Sequence, residues 1–376
     1  GGAEVVHLGH NRSVEEIVVA AIEEDAHGIA VSSYQGGHVE FFKYMVDLLK
    51  ERNASHIKVF GGGGGVIIPE EIADLHKYGV TRIYSPGDGQ FLGLEGMIDD
   101  MLKQSDVDLT KKQPKSLAKL KKGDSGTLAR LISGLEAGKT AATVRKDIAK
   151  LAKSRGTVPV LGITGTGGAG KSSLTDEIVR RFHLDHPELK IAVIAVDPSK
   201  RKTGGALLGD RIRMNSIGVP GIYMRSLATR GSGSEVASCL PGAISACKAA
   251  GYDVIVCETS GIGQGDAAIV PFVDVAIYAM TPEFGAASQL EKIDMLDFAD
   301  IVAINKFDRR GADDALRDVR KQYQRNHERF GEKPDNMPVF GTIAAKFNDD
   351  GVSALYGGIL EAFQDKGLAD WENGIG

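Results

Sequence analysis

Short apolar runs alternate with amphipathic stretches along most of this chain, and the two periods predict strands and helices. Over residues 1–104 the runs Glu4–Leu8, Gly28–Ser32, Ile57–Phe60 and Arg82–Tyr84 predict strands. Between them, Ser13–Glu24, His38–Arg52, Glu70–Tyr78 and Gly93–Gln104 predict helices. Ser13 followed by Glu16 has the spacing of a capping box, and Gly79 reads as a helix stop. The rhythm returns after residue 155. Strands are predicted at Val158–Thr164, Lys190–Val196, Ile222–Leu227, Tyr252–Cys257, Val273–Met280, Ile301–Ile304 and Met337–Gly341, with a last helix at Val352–Lys366. Such alternation predicts an α/β fold with two doubly wound parallel sheets, whose ligands sit at strand C-termini.

Residues 105–155 break the rhythm. A lysine run (Lys111, Lys112, Lys115, Lys119, Lys121, Lys122) precedes Gly- and Ala-rich helical pieces. This reads as a helical connector whose lysines cover a solvated face. Trp371–Gly376 reads as the start of a linker. The expected organisation is a first domain at 1–104, a connector at 105–155, a second domain at 156–370 and a linker from 371 to 376.

Composition narrows the picture. A chain of 376 residues, 42% hydrophobic and 25% charged, is long enough for two sizeable cores. The net charge of −5 argues against a general nucleic-acid binder. Cys239, Cys247 and Cys257 form no C-x-x-C pair, so neither a disulfide frame nor a zinc ribbon is expected. No apolar run approaches a membrane span and no signal peptide is visible, so a cytoplasmic location with no membrane partner is expected. The chain opens Gly1-Gly2-Ala3 without Met. The first strand of the first domain is expected upstream of it.

The strongest chemical signal is Gly165-Thr166-Gly167-Gly168-Ala169-Gly170-Lys171-Ser172, a complete G-x-x-x-x-G-K-S phosphate loop between a predicted strand and a predicted helix. Its backbone N–H groups, continuing to Ser173, would cradle phosphates at the positive end of the helix. Lys171 would reach the β- and γ-phosphates, and the Ser172 hydroxyl would hold Mg²⁺. Asn305-Lys306-Phe307-Asp308 follows a predicted strand and selects the base. The Asp308 carboxylate pairs with guanine N1–H and its exocyclic amine, whereas adenine would leave it unpaired. Lys306 would lie along the base, Asn305 would tie this loop to the phosphate loop, and Ala345 joins the nucleotide contacts.

Acidic residues mark the metal. Glu258-Thr259-Ser260-Gly261 stands where most GTPases carry D-x-x-G, and Asp197 and Asp210 come earlier. Mg²⁺ takes few protein carboxylates beside phosphate and water, so Ser172, Asp197, Asp210, Glu258 and Thr259 form a set whose membership changes with the nucleotide state. Gln264 is a candidate for positioning the attacking water. Arg213 and Arg230 are candidate charge stabilisers, and an arginine from a partner is the alternative. Slow intrinsic turnover is expected.

Ile194-Ala195-Val196-Asp197-Pro198-Ser199, Thr203-Gly204-Gly205, Leu208-Gly209-Asp210-Arg211 and Glu258-Thr259-x-Gly261-x-Gly263-Gln264 together resemble the metallochaperone branch of P-loop GTPases, in particular the chaperones of methylmalonyl-CoA mutase. The resemblance implies coupling of GTP to the loading and editing of adenosylcobalamin. The first domain resembles the flavodoxin-like cobalamin-binding domains. Ser32-Ser33-Tyr34 matches their second loop motif, Gly61-Gly62-Gly63-Gly64-Gly65 the third, and Tyr84-Ser85-Pro86-Gly87 would lie beside the nucleotide tail. The first motif, D-x-H-x-x-G, has one literal match at Asp74–Gly79, but it lies on a predicted helix. Asp25-Ala26-His27 lacks the glycine, with Ala30 in its place. His7, His10 and His38 read as loop or helix-start residues, so the cobalt-binding histidine is expected upstream of Gly1.

As a whole the chain resembles the fused isobutyryl-CoA mutase family. That resemblance implies GTP/GDP, Mg²⁺ and adenosylcobalamin as ligands. It implies a mutase barrel in the same parent chain, an adenosyltransferase delivering cofactor, and a homodimer. The parent would interconvert isobutyryl-CoA and n-butyryl-CoA, while this stretch alone would not isomerise anything. Two alternatives remain at this level: a GTP switch without catalysis, and a GTPase joined to a flavodoxin-like domain with another ligand such as a flavin.

Overall fold

The computed structural model of the chain describes residues 2–34, 36–114, 116–200, 202, 204–230, 236–259 and 266–375. The chain divides into two compact units, one of Gly1–Ala3 and Leu8–Ala141, the other of Glu4–His7 and Ala142–Gly376.

In chain order the first stretch carries β1 (Glu4–Val6), α1 (Val14–Glu23), β2 (Gly28–Ser32), α2 (His38–Glu51), β3 (Lys58–Gly62), α3 (Pro69–Tyr78), β4 (Arg82–Tyr84), α4 (Pro86–Ser105), α5 (Ala118–Lys121) and α6 (Ser125–Glu136). Strands β2, β3 and β4 form a parallel sheet in that order. Ser13 caps α1 and Glu16 reaches back to the Ser13 N–H at 2.8 Å, so the capping box forms as its spacing requires. On α2, Phe42, Met45, Val46 and Leu49 recur at helical spacing and meet Val18, Val59, Leu75 and Ile83 in one core. Complete burial of Phe42 alone is worth about 1.5–3 kcal/mol.

The second unit adds α7 (Ala142–Ser154), β5 (Val160–Gly165), α8 (Lys171–Asp185), β6 (Ile191–Asp197), β7 (Ala206–Leu208), β8 (Ile222–Ala228), α9 (Leu240–Ala250), β9 (Val254–Thr259), β10 (Val275–Met280), α10 (Ala287–Leu290), β11 (Ile301–Asn305), α11 (Ala312–Asn326), β12 (Val339–Thr342) and α12 (Asp350–Asp365). Its seven-stranded sheet runs β12-β11-β10-β5-β9-β6-β8, parallel throughout. Every residue of β5, β8, β9, β10 and β11 is buried; most of these positions are apolar, while Arg225 and Ser226 in β8 and Glu258 and Thr259 at the end of β9 are buried polar exceptions. Central β5 delivers the phosphate loop to the carboxyl edge between β10 and β9.

Four sequence expectations change. The Glu4–Leu8 strand does not join the first unit's sheet. It is shorter, and it pairs in parallel with β7, Glu4 opposite Ala206. Residues 105–155 are not a separate connector. Leu128, Leu131 and Ile132 of α6 are buried and Arg130 holds Asp25 through two bonds of 2.9 and 2.8 Å, which draws α6 into the first unit. α7 belongs to the second unit, against α9. The helix read from Gly93 is there, but a further helical segment that the sequence reading left out precedes it from Pro86, where Ser85 and Asp88 form a capping box; the two meet at the non-helical Gly93 (φ 64°, ψ 176°) within α4. Finally, the tail read as a linker packs back. Trp371 meets Phe182 and Phe363 edge-on, and the Gly374 N–H donates to Asp185 at 3.0 Å. Among the described residues no helix is long and apolar enough to cross a membrane.

Candidate functional site

The phosphate loop is built where β5 meets α8. Gly165 has φ 145°, and a Cβ there would lie 1.8 Å from the Ala279 carbonyl oxygen, so only glycine lets β5 turn this close to β10. Ala169 is fully buried under the loop. Lys171 is 7% exposed and its Nζ donates to the carbonyls of Gly165 at 3.0 Å and Thr166 at 3.1 Å. The lysine therefore spans the loop it is expected to serve.

Ser172 Oγ lies 2.9 Å from Asp210 Oδ1 and 2.9 Å from Glu258 Oε1. One hydroxyl proton cannot satisfy two carboxylates, so this corner favours an added positive charge. Burial first, then the Asp210 charge, pushes Glu258 up to about 8. The same two causes push Asp197 up to about 7, while the Arg213 guanidinium pulls it back. Asp197 Oδ2 and Glu258 Oε2 are buried with no hydrogen-bond partner among the described residues. A hydroxyl and carboxylate oxygens are the hard donors Mg²⁺ prefers. Among the described residues no three His, Cys, Asp or Glu side chains close a metal site by themselves. The residues present fit Mg²⁺.

Other members of the expected metal and catalytic set are placed differently. The Thr259 hydroxyl bonds the Thr164 hydroxyl at 3.0 Å and is not among the groups around Ser172. Arg213 is exposed on a short turn after Asp210. Arg230 is held by Glu4 through bonds of 2.7 and 2.9 Å. Thr203, Ser260, Gly261, Gly263 and Gln264, like Lys115, lie outside the described residues.

The base motif joins the phosphate loop directly. Asn305, at the end of β11 and 3% exposed, donates its amide to the Ala169 carbonyl at 2.7 Å. Its Oδ1 accepts from Thr342 Oγ1 at 3.2 Å and from the Ala344 N–H at 3.0 Å. Lys306 adopts a left-handed backbone (φ 59°) and donates to the Gly168 carbonyl at 2.6 Å. Asp308 is exposed, with no hydrogen bond among the described residues, and Ala345 is exposed on the loop after β12. Sequence reasoning missed Thr342 and Ala344. The signal was the small-residue run Gly341-Thr342-Ile343-Ala344-Ala345 leaving the last strand.

In the first unit the expected cofactor contacts meet at the carboxyl edge of the sheet. The Ser33 N–H donates to the Gly62 carbonyl at 2.8 Å. A Cβ at Gly63 would lie 2.5 Å from the Ser33 oxygen, so the two loops touch backbone to backbone. Tyr34 is 68% exposed and its ring lies against Gly64; Pro86 borders Gly65. Ser32 closes β2 in register with Gly62, while Gly61 lies within β3 and Gly87 in the first turn of α4. This side-chain-poor shelf fits a flat aromatic group. None of the three segments carries a histidine. The literal D-x-H-x-x-G match is structural, because His76 sits on α3 and accepts the Ile83 N–H at 3.0 Å. His38 bonds Glu71 at 2.9 Å.

Residues 128–369 match the family described as Methylmalonyl Co-A mutase-associated GTPase MeaB, and residues 1–95 match the B12 binding domain. A protein named fused isobutyryl-CoA mutase from Cupriavidus metallidurans is 63% identical over 369 residues, which are 98% of this chain and 34% of that protein. One of the same name from Nocardia farcinica is 61% identical, across 98% of this chain and 34% of its own length. Another from Geobacillus kaustophilus is 57% identical, across 100% of this chain and 35% of its own length. The chain thus spans about a third of the length of these curated relatives. Guanine nucleotide and cobalamin are the ligands that its two domains serve. By fold, loops and match, the chain belongs to the Methylmalonyl Co-A mutase-associated GTPase MeaB family and joins that GTPase to a B12 binding domain.

Proposed function

We propose that this chain hydrolyses GTP to GDP and phosphate and that its nucleotide state gates the loading and editing of adenosylcobalamin for an acyl-CoA mutase. One observation carries the reading: Asn305 bonds the carbonyl of Ala169, so base motif and phosphate cradle make one surface. Cobalamin would then be served by the first unit, α6 included, and GTP by the second, α7 included.

On that surface the N–H groups of Gly165, Gly167, Gly168, Ala169, Gly170, Ser172 and Ser173 wrap the phosphates, and Lys171 shifts from its own loop carbonyls to phosphate oxygens. Asp308 reads guanine, Lys306 lies along it and Ala345 borders it. Ser172, Asp210 and Glu258 would hold Mg²⁺ in one nucleotide state, and Asp197 and Thr259 would enter the set in another. The ion, when bound, offsets charge on the β- and γ-phosphates. Gln264 orients a water whose oxygen bonds to the γ-phosphorus as the bond to the β–γ bridging oxygen breaks. Arg213 steadies the charge that develops. Turnover by the chain alone is slow.

Ser32, Ser33, Tyr34, Gly61, Gly62, Gly63, Gly64, Gly65, Pro86 and Gly87 would hold cobalamin, whose radical chemistry serves the mutase. The name fused isobutyryl-CoA mutase carried by the relatives supports a parent chain in which a mutase barrel would act on isobutyryl-CoA and n-butyryl-CoA. An adenosyltransferase supplies the cofactor, and the parent works as a cytoplasmic homodimer.

The test is single-turnover hydrolysis of GTP by the full chain, alone and with cobalamin and a mutase barrel, beside a visible-range cobalamin titration. Slow hydrolysis, sped by the barrel, and a shifted cobalamin spectrum are expected. Tight GTP binding with no hydrolysis under any of these conditions would leave only a switch. A yellow flavin complex with no cobalamin change would replace the cofactor.

A further inference from the structure

The loop between β12 and α12 is held from two sides by the side chains of Asn305 and Asp349. On one side Asn305 takes Thr342 and Ala344, as described. On the other, Asp349 takes the residue between them. Its Oδ2 accepts the Ile343 N–H at 3.0 Å and, on the same oxygen, the Val352 N–H at 3.1 Å, which caps α12. Asp349 is 4% exposed. Its backbone carbonyl accepts from Arg181 Nη2 at 3.0 Å. Arg181, 3% exposed, is locked in turn by Glu177 at 2.6 Å and by the Ser353 hydroxyl at 3.3 Å. At Gly351 a Cβ would lie 2.0 Å from the Gly341 oxygen, so the start of α12 is pressed against the end of β12.

Arg181 lies on α8, the helix that begins with Lys171 and Ser172. The clamp therefore sets the loop after β12 relative to the phosphate cradle. Successive N–H groups at 343 and 344 are taken by opposite partners, so Ala345 leaves the clamp with its backbone direction fixed. We infer that Asp349, backed by Arg181, is a positioning residue for base selectivity: it holds the Thr342–Lys346 backbone at the spacing from Asp308 that a guanine ring needs. This deepens the guanine reading and rests on it.

Losing Asp349 leaves two buried-side N–H groups without an acceptor and frees the loop, while the phosphate loop keeps its own bonds. Guanine contacts should weaken and phosphate contacts should not. The experiment compares GDP and ADP dissociation constants for the full chain with Mg²⁺. The parent chain should prefer GDP by about a hundredfold or more. Asp349→Ala should weaken GDP by about tenfold and leave ADP within about twofold. Asp349→Asn, whose amide oxygen still accepts, should return GDP to within about threefold of the parent. Arg181→Met should shift the GDP-to-ADP ratio the same way by a smaller factor, and it carries the comparison if Asp349→Ala does not fold. Equal weakening of both nucleotides, or an unchanged ratio in both variants, overturns the inference. A parent chain with no preference for GDP over ADP would instead remove the guanine reading beneath it.

Discussion

Ser172 Oγ and Glu258 Oε1 stand 2.9 Å apart, joining the first turn of α8 to the end of β9. Asp210 approaches the same hydroxyl at 2.9 Å, so two acids share one proton donor. Burial and the nearby Asp210 charge favour the protonated form of Glu258, a proton that a bound cation would replace.

Glu258→Gln keeps the size of the side chain and removes one charge from this corner. The Mg²⁺ concentration needed for half-maximal GTP turnover should rise by about tenfold or more. A Mg²⁺ titration checks this, and an unchanged midpoint would remove Glu258 from the metal set.

Asp197 and Glu258 are held up at about 7 and about 8, chiefly by burial and then by Asp210. Both folded-state values exceed the unfolded carboxylate value of about 4, so the folded nucleotide-free chain keeps protons that the unfolded chain releases. This contribution is full below the unfolded value and is lost as pH rises through 7 to 8. The free chain should therefore melt lower at about pH 8 than at about pH 6, by a margin that shrinks in Glu258→Gln. Mg²⁺ with GDP should shrink it as well, because the ion takes the place of the protons. Melting curves across this range decide; a margin untouched by the substitution would point elsewhere.

Lys171 spans the phosphate loop through the carbonyls of Gly165 and Thr166. Lys171→Ala should cost GTP affinity by about a hundredfold, while the cobalamin spectrum stays as in the parent. Retained tight binding, read by fluorescent nucleotide titration, would count against the cradle.

Gly63 meets the Ser33 carbonyl with no room for a Cβ. Gly63→Val should push the two loops apart and abolish cobalamin binding, leaving GDP affinity within about twofold because the GTPase core is a separate cluster. Equal cobalamin affinity in the variant would place the cofactor away from this shelf.

Most of the architecture was legible because it is local. Strand and helix periods, the Ser13 capping box and the phosphate loop all lie within a few residues of chain, and Asn305 was readable from its spacing to that loop. What escaped depends on distant partners. β1 is three residues long and its pairing with β7 follows from no period. α6 joins the first unit through Arg130 and Asp25, which are 105 positions apart. Trp371 looked like linker because its ring partners, Phe182 and Phe363, belong to other elements. Asp349 reads locally as an ordinary helix cap. Its hold on Ile343 and the Arg181 clamp appear only when β12, α12 and α8 are assembled.

The most direct test of the account replaces one carboxylate. Asp308→Asn presents an amide where guanine needs two acceptors, and xanthine, with a carbonyl in place of the amine, suits that amide. The account predicts that GDP binding falls by at least about tenfold while xanthosine diphosphate binding rises, with the phosphate loop intact. Undiminished GDP affinity with no gain for xanthosine diphosphate would contradict it.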